Sequence, residues 1–429
     1  MKHTSRWLGA VAAAGLIGTA LAGCAGSPTT TTATTSGAKG TLTISVWDYA
    51  QTPEFNALFT AFEKANPGVT IDPVDVPNAS DYEAKVTTML SGGNAPDIIT
   101  VKNLTDYSGY VAKNELENLN SVEKSLSADQ IHGLSSYQFK NNFYAIPYRT
   151  DFSVLFYNKT MFKAAGLADP SNLTWSEFAS DAAKLTRGTG ATKVYGAYIH
   201  TWNSLVQGIA AAQNDKDLNK PPYGYLKDQY SMVLGLQKAG DIINYSDATT
   251  QQTSYQTVFE TGQAAMVPMG TWLIADLLAS KNAGKTNIDW GIAPLPQIDS
   301  GKPIVTDGGP TGFAIPQGTK DSALAKKFIA FAASAQGARA VASIGIVPAY
   351  QTDSIRNDYF SLKGMPTDAL SKKAFVPDII RPDLPVNPNA SAINTILGQE
   401  HQLIMTGSVS VDSGLATMAQ RVQSEVLDQ

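Results

Sequence analysis

The sequence predicts an α/β protein, doubly wound, with more than one compact unit. Three observations carry this. Strand and helix patterns alternate from residue 41 to residue 101, and the alternation resumes further along. The 429 residues allow two to three domains at roughly 150 residues each. Apolar residues make up 43%, enough to bury a substantial core without disulfides or metals.

The elements follow in order. Leu42, Ile44 and Val46 alternate with Thr41, Thr43 and Ser45, the period of a strand. Thr52 is placed to cap a helix with Pro53 at its first position, and Phe55, Leu58, Phe59 and Phe62 recur at helical spacing until Asn66-Pro67-Gly68 stops it. A second strand starts at Val69, where Pro73 restricts it to an edge. A helix is expected over Ala79–Leu90, a turn at Ser91-Gly92-Gly93-Asn94, and a third strand over Pro96–Val101.

Further on, Phe152–Tyr157 reads as a buried strand. Thr174 and Glu177 have the spacing of a capping box before a helix. Short strands are expected at Ala264–Pro268, Ile288–Ala293 and Thr311–Ile315. Ala323–Ala333 places Leu324, Phe328 and Phe331 on one helical face, and Asn394–Leu427 reads as helix interrupted near Gly407.

Composition excludes several classes of function. Lys and Arg number 32 against 37 Asp and Glu, and no basic tract lies beyond the first residues, so nucleic acid is not an expected partner. One cysteine excludes a disulfide framework within the chain and cysteine-rich metal sites. His3, His132, His200 and His401 lack metal-ligand spacing, so neither a metal nor a cofactor is expected.

The first residues read as an export signal. Lys2 and Arg6 precede an uncharged run, Leu8–Leu21, and Leu21-Ala22-Gly23-Cys24 follows. This resembles the lipobox of bacterial lipoproteins, which implies a signal peptide over 1–23, lipidation of Cys24 and membrane attachment. Residues 24–40, rich in Thr, Ser and Gly, read as a tether. The expected location is extracytoplasmic, on the outer face of the cytoplasmic membrane or in the periplasm.

From about Thr41 onward the chain resembles the family 1 extracellular solute-binding proteins, the carbohydrate-binding lipoproteins of ABC importers. Four blocks carry the resemblance: Leu42 to Pro67 with its FEKANPG ending; GGNAPDIITV at 92–101; YAIPYRTDFSVLFYNKTMFKAAGL at 144–167; and FETGQAAMVPMGTW at 259–272, followed by IDWGIAPLP and DGGPTGFAIP. The resemblance implies a two-lobed periplasmic-binding-protein fold of type II, whose hinge the chain crosses three times, with the ligand cleft between the lobes. The crossings would fall near Tyr148–Phe152, Thr306–Pro310 and Gly345–Ala349. The N-lobe would comprise 41–148 plus 310–345, and the C-lobe 152–306 plus 349–429. The expected partners are a mono- or oligosaccharide and the permease subunits of an ABC importer, with the protein itself a monomer.

Sugar recognition needs flat aromatic faces and planar polar groups, expected where strands end. Trp47 and Asp48 close the first strand. Lys102 and Asn103 follow the PDIITV strand, where the family often places an Asp. Tyr148, Arg149 and Asp151 lie at the first crossing; Asp151 matches the family's ligand carboxylate, against the alternative of a structural salt bridge to Arg149. Trp202 and Asn203 stand where relatives often carry a Tyr-Glu pair. Gly270 and Trp272 match the family's sugar platform; Asp307, Gly308 and Gly309 match its ligand-facing Gly-Gly turn; Arg381 in IIRPDLP matches an Arg that bonds hydroxyls. Trp175, Trp290 and Tyr157 are expected to pack in the core.

Two other readings stay open at this level. A secreted glycoside hydrolase would need two positioned carboxylates, and no pair here has such a context. The same fold could take a non-sugar or an acidic solute, through Lys102, Arg149 and Arg381.

Overall fold

Among the described residues eleven strands order the chain: β1 (Gly40–Trp47), β2 (Val69–Val76), β3 (Ile98–Val101), β4 (Gln138–Phe139), β5 (Asn142–Phe143), β6 (Ile146–Asn158), β7 (Tyr195–Ala197), β8 (Ala264–Gly270), β9 (Trp290–Ala293), β10 (Val305–Ala314) and β11 (Ile379–Arg381). The computed structural model describes residues 39–429; the expected signal segment, Cys24 and the tether up to residue 38 lie outside the described residues.

Nine strands form one sheet in the order β2-β1-β3-β10-β6-β8-β7, with β9 also paired to β6 and β11 to β10. β1 runs parallel to both β2 and β3, with helices Pro53–Ala65 and Tyr82–Ser91 in the two crossovers. β10 is antiparallel to β3 and to β6, so the sheet is mixed. β2 is the edge strand at one end of that order, which lets it carry Pro73.

The buried apolar side chains fall into two cores. One gathers Leu42, Ile44, Phe55, Phe62, Ile98, Phe313 and Phe328. The other gathers Phe156, Trp175, Tyr230, Met266, Leu277, Trp290 and Leu397. Strand β6, buried along its whole length, serves both: Ile146 and Tyr148 belong to the first core, Phe152 and Val154 to the second. β10 runs alongside it, with Gly309 opposite Asp151 and Pro310 opposite Thr150. The third passage lies beside this ribbon: the Thr150 amide donates to the Val347 carbonyl at 3.1 Å and the Ala349 amide to that of Tyr148 at 3.0 Å. Two lobes are thus joined by a two-stranded ribbon and one further segment, an arrangement suited to hinge motion.

Several local expectations shift. The Thr52 side chain makes no cap bond, and Pro53 alone marks that helix start. The helix expected from Ala79 begins as a 3-10 turn, Ala79–Asp81, capped by the Asn78 side chain, and becomes α-helical at Tyr82. The strand expected at Phe152 starts at Ile146, because the hinge passage is itself extended. The capping box at Thr174 and Glu177 forms with both of its bonds. The C-terminal stretch divides into helices Ala390–Met405 and Val411–Val422, with Gly407 at φ 72° between them. Among the described residues no helix is long and apolar enough to cross a membrane.

Candidate functional site

A cavity of about 550 Å³ opens between the two cores, walled by residues from both. Strand ends and the hinge ribbon place them there. Trp47 ends β1, its ring edge-on to Phe55 at 4.9 Å and to Tyr82 at 5.1 Å; these contacts bury most of the indole yet leave it on the wall. Lys102 and Asn103 follow β3. The Asn103 side chain caps helix Leu104–Ala112 by accepting from the Asp106 amide, and it donates to Asp106 Oδ2 at 2.6 Å. Lys102 reaches Glu83 at 3.0 Å and the Ala79 carbonyl at 2.8 Å, with its ammonium 5.4 Å from the Trp47 ring centre.

The hinge contributes a buried ion triad. Arg149 meets Glu54 at 2.6 Å and Asp151 at 3.2 Å, and the Thr271 hydroxyl donates to Asp151 Oδ1 at 2.9 Å. Burial pushes the Glu54 and Asp151 carboxyls up, while Arg149 pulls them back. Asp151 therefore forms the salt bridge weighed against its ligand role, while still reaching the cavity wall. Through Thr271 and Glu54 the triad ties the hinge to an element of each core.

The second core supplies an aromatic wall. Trp202 lies 6.1 Å from Trp272 and 5.7 Å from Tyr255, and His200 stands edge-on to Trp202 at 4.6 Å. Trp202 is 43% exposed, a large apolar surface open to the cavity. Asp307, Gly308 and Gly309 reach the wall on β10. A Cβ added at Gly309 would meet nothing within 4 Å, so this backbone is open to approach, whereas one at Gly308 would strike the Asp151 carbonyl at 2.4 Å. Burial first, and Asp383 second, push the Asp307 carboxyl up to about 7.

Ten of the fifteen residues singled out in sequence meet in this cavity: Trp47, Lys102, Asn103, Arg149, Asp151, Trp202, Trp272, Asp307, Gly308 and Gly309. Five are placed elsewhere. Asp48, at φ 44°, faces a neighbouring hollow behind Trp47, and Asn203 faces another, where it bonds Gln207 and Asn394. Tyr148 is buried against Phe313 with ring centres 4.7 Å apart, because strand alternation turns it into the core. Gly270 makes room: a Cβ there would sit 2.0 Å from the Trp272 ring. Arg381 is held by the Ala212 carbonyl at 2.7 Å and Asp215 at 3.0 Å, away from the cavity.

Tyr255, Glu83 and Asp383 line the cavity without having been singled out. Tyr255 opens a short helix whose cap, Ser254, was a readable signal. Asp383 lies two residues beyond Arg381 in the IIRPDLP stretch already noted.

Comparison with known proteins places this geometry in context. Residues 49–339 match the family model described as bacterial extracellular solute-binding protein. The diacetylchitobiose binding protein DasA of Streptomyces coelicolor is 27% identical over 278 residues, 62% of this chain and 63% of its own length. This chain therefore spans less than two thirds of that relative. The multiple sugar-binding protein of Streptococcus mutans is 24% identical over 336 residues, 73% of this chain and 74% of its own. A sugar transporter of Rhizobium etli, solved in an open conformation, is similar at 33% identity and a TM-score of 0.77, covering 90% of this chain and 99% of its own. The two-lobed α/β fold is that of these binding proteins, and the chain belongs to the bacterial extracellular solute-binding protein family.

Proposed function

We propose that this protein captures a mono- or oligosaccharide between its lobes, closes on it and delivers it to an ABC importer, anchored meanwhile through lipidated Cys24. One observation carries the reading: an aromatic wall of Trp202, Tyr255 and Trp272 shares a cavity with Trp47 from the other core. Aromatic faces cover the apolar faces of sugar rings, and the polar groups around them satisfy hydroxyls. Asn103, Asp151, the Gly309 backbone and Asp307 are the polar groups proposed for that role, with Lys102 and Arg149 holding the carboxylates beside them. The names of the three relatives reported above support a sugar ligand. The ligand contacts, the lobe boundaries, the lipid anchor and the importer are parts of this proposal.

A thermal-shift screen against a carbohydrate panel tests it. A sugar present at 100 times its Kd should stabilise the protein by about 2.7 kcal/mol. A panel covering neutral, amino and acidic mono- and oligosaccharides that produces no shift contradicts the reading.

A further inference from the structure

The three cations that could have favoured an acidic ligand are already engaged. Lys102 pairs with Glu83 at 3.0 Å, Arg149 with Glu54 at 2.6 Å and Asp151 at 3.2 Å, and Arg381 with Asp215 at 3.0 Å. Among the described residues, two carboxylates of the cavity wall have no such partner. Asp307 is 6% exposed, enters no ion pair among the described residues, and its Oδ1 is buried with no hydrogen-bond partner. Asp383, on the same wall, accepts only from the neighbouring Leu384 amide, at 2.9 Å.

The groups facing Asp307 are few. Asp383 raises its proton affinity and the Ser153 hydroxyl on β6 lowers it, after burial has raised it most. Arg381 is its partner in the β10–β11 register, yet that guanidinium is bound to Ala212 and Asp215. Asp383 is likewise pushed up by burial.

We propose that the Asp307–Asp383 side of the cavity is a subsite for a protonated amine, so that the preferred ligand is an amino sugar or another amine-bearing saccharide. This rests on the sugar reading above. An ammonium offers three donors and no acceptor, which suits an orphaned carboxylate oxygen. It also brings the positive charge that buried Asp307 and partly buried Asp383 lack. A hydroxyl could satisfy Oδ1 but brings no positive charge to the pair. Burial favours the protonated form of both acids before the ligand arrives, and an ammonium bound there displaces a proton to solvent.

The test is isothermal titration of the full chain, held in a detergent without sugar head groups. The probes are matched pairs, glucosamine against glucose and deacetylated chitobiose against cellobiose, with glucuronate and putrescine as outliers. The amine member of a pair should bind at least about tenfold tighter than its neutral partner near pH 7. Its affinity should fall as pH is lowered from about 7 to about 5.5, where the sugar amine stays charged and protonation of Asp307 becomes complete, while the neutral partner stays flat. Heats measured in two buffers of different ionisation enthalpy should show a proton released by the amine alone. Asp307→Asn should erase both the difference within a pair and the proton release.

Neutral partners binding as tightly as amines, or glucuronate binding tightest, overturns the subsite and leaves the sugar reading standing. A preference for the amine that persists in Asp307→Asn, without proton release in the wild type, also overturns it. Putrescine binding while no saccharide binds overturns the sugar reading and leaves the amine subsite. Binding by none of the probes overturns both.

Discussion

Trp272 stacks into the cavity only because Gly270 leaves room for its ring. Truncating a buried aromatic anchor of this kind typically weakens binding by at least ~2 kcal/mol, about thirtyfold in Kd. Trp272→Ala should show that loss by titration with any sugar that binds, and Gly270→Ala should weaken the same sugar by displacing the ring. Glu54 was not legible as a site residue, since its partner Arg149 lies far along the chain and only the fold brings them to 2.6 Å. Arg149 keeps Asp151 as a partner when Glu54 is neutralised, so Glu54→Gln should destabilise the protein by about 1 kcal/mol, the loss of one buried hydrogen bond, in denaturant unfolding. Asp307 and Asp276 shift in the same direction as Glu54. Burial pushes both carboxyls up to about 7, so the folded state holds protons that the unfolded chain releases. The stability they favour is complete below the ordinary carboxylate range, near about pH 4, and is lost as pH rises through about 7. The melting temperature of the ligand-free protein should fall across that window, and Asp307→Asn should flatten the fall.

At the scale of elements, local signals served well where chemistry is local. The Thr174–Glu177 capping box forms with the Thr174 hydroxyl 3.2 Å from the Glu177 amide and the Glu177 carboxylate 2.8 Å from the Thr174 amide. Thr174→Ala should therefore lower stability by about 1 kcal/mol with no change in sugar affinity. The same helix anchors Trp175, whose indole NH donates to Gln213 at 2.8 Å inside the second core. Signals failed where tertiary pairing decides. FSVLFY advertised a short strand, but the preceding PYRTD is also extended because β10 pairs with it across the hinge. Asn203 and Arg381 were matched by position in a family pattern. Their side chains are instead captured by Asn394 and by Asp215, and neither partnership can be read from the spacing.

The whole molecule places two separately packed cores on either side of the β6–β10 ribbon, with the aromatic wall on one and Trp47 on the other. The alternation of strands and helices made the α/β class legible, and the four blocks made the two-lobed fold legible. Which of several carboxylates stay unpaired depends on packing between distant segments, so Asp383 was invisible beside the quoted Arg381. Sugars that bridge the cavity should draw the lobes together. The most direct measurement is solution scattering of the protein with and without the sugar giving the largest thermal shift. The account predicts a smaller radius of gyration with the sugar bound; an unchanged scattering curve at saturating sugar contradicts it.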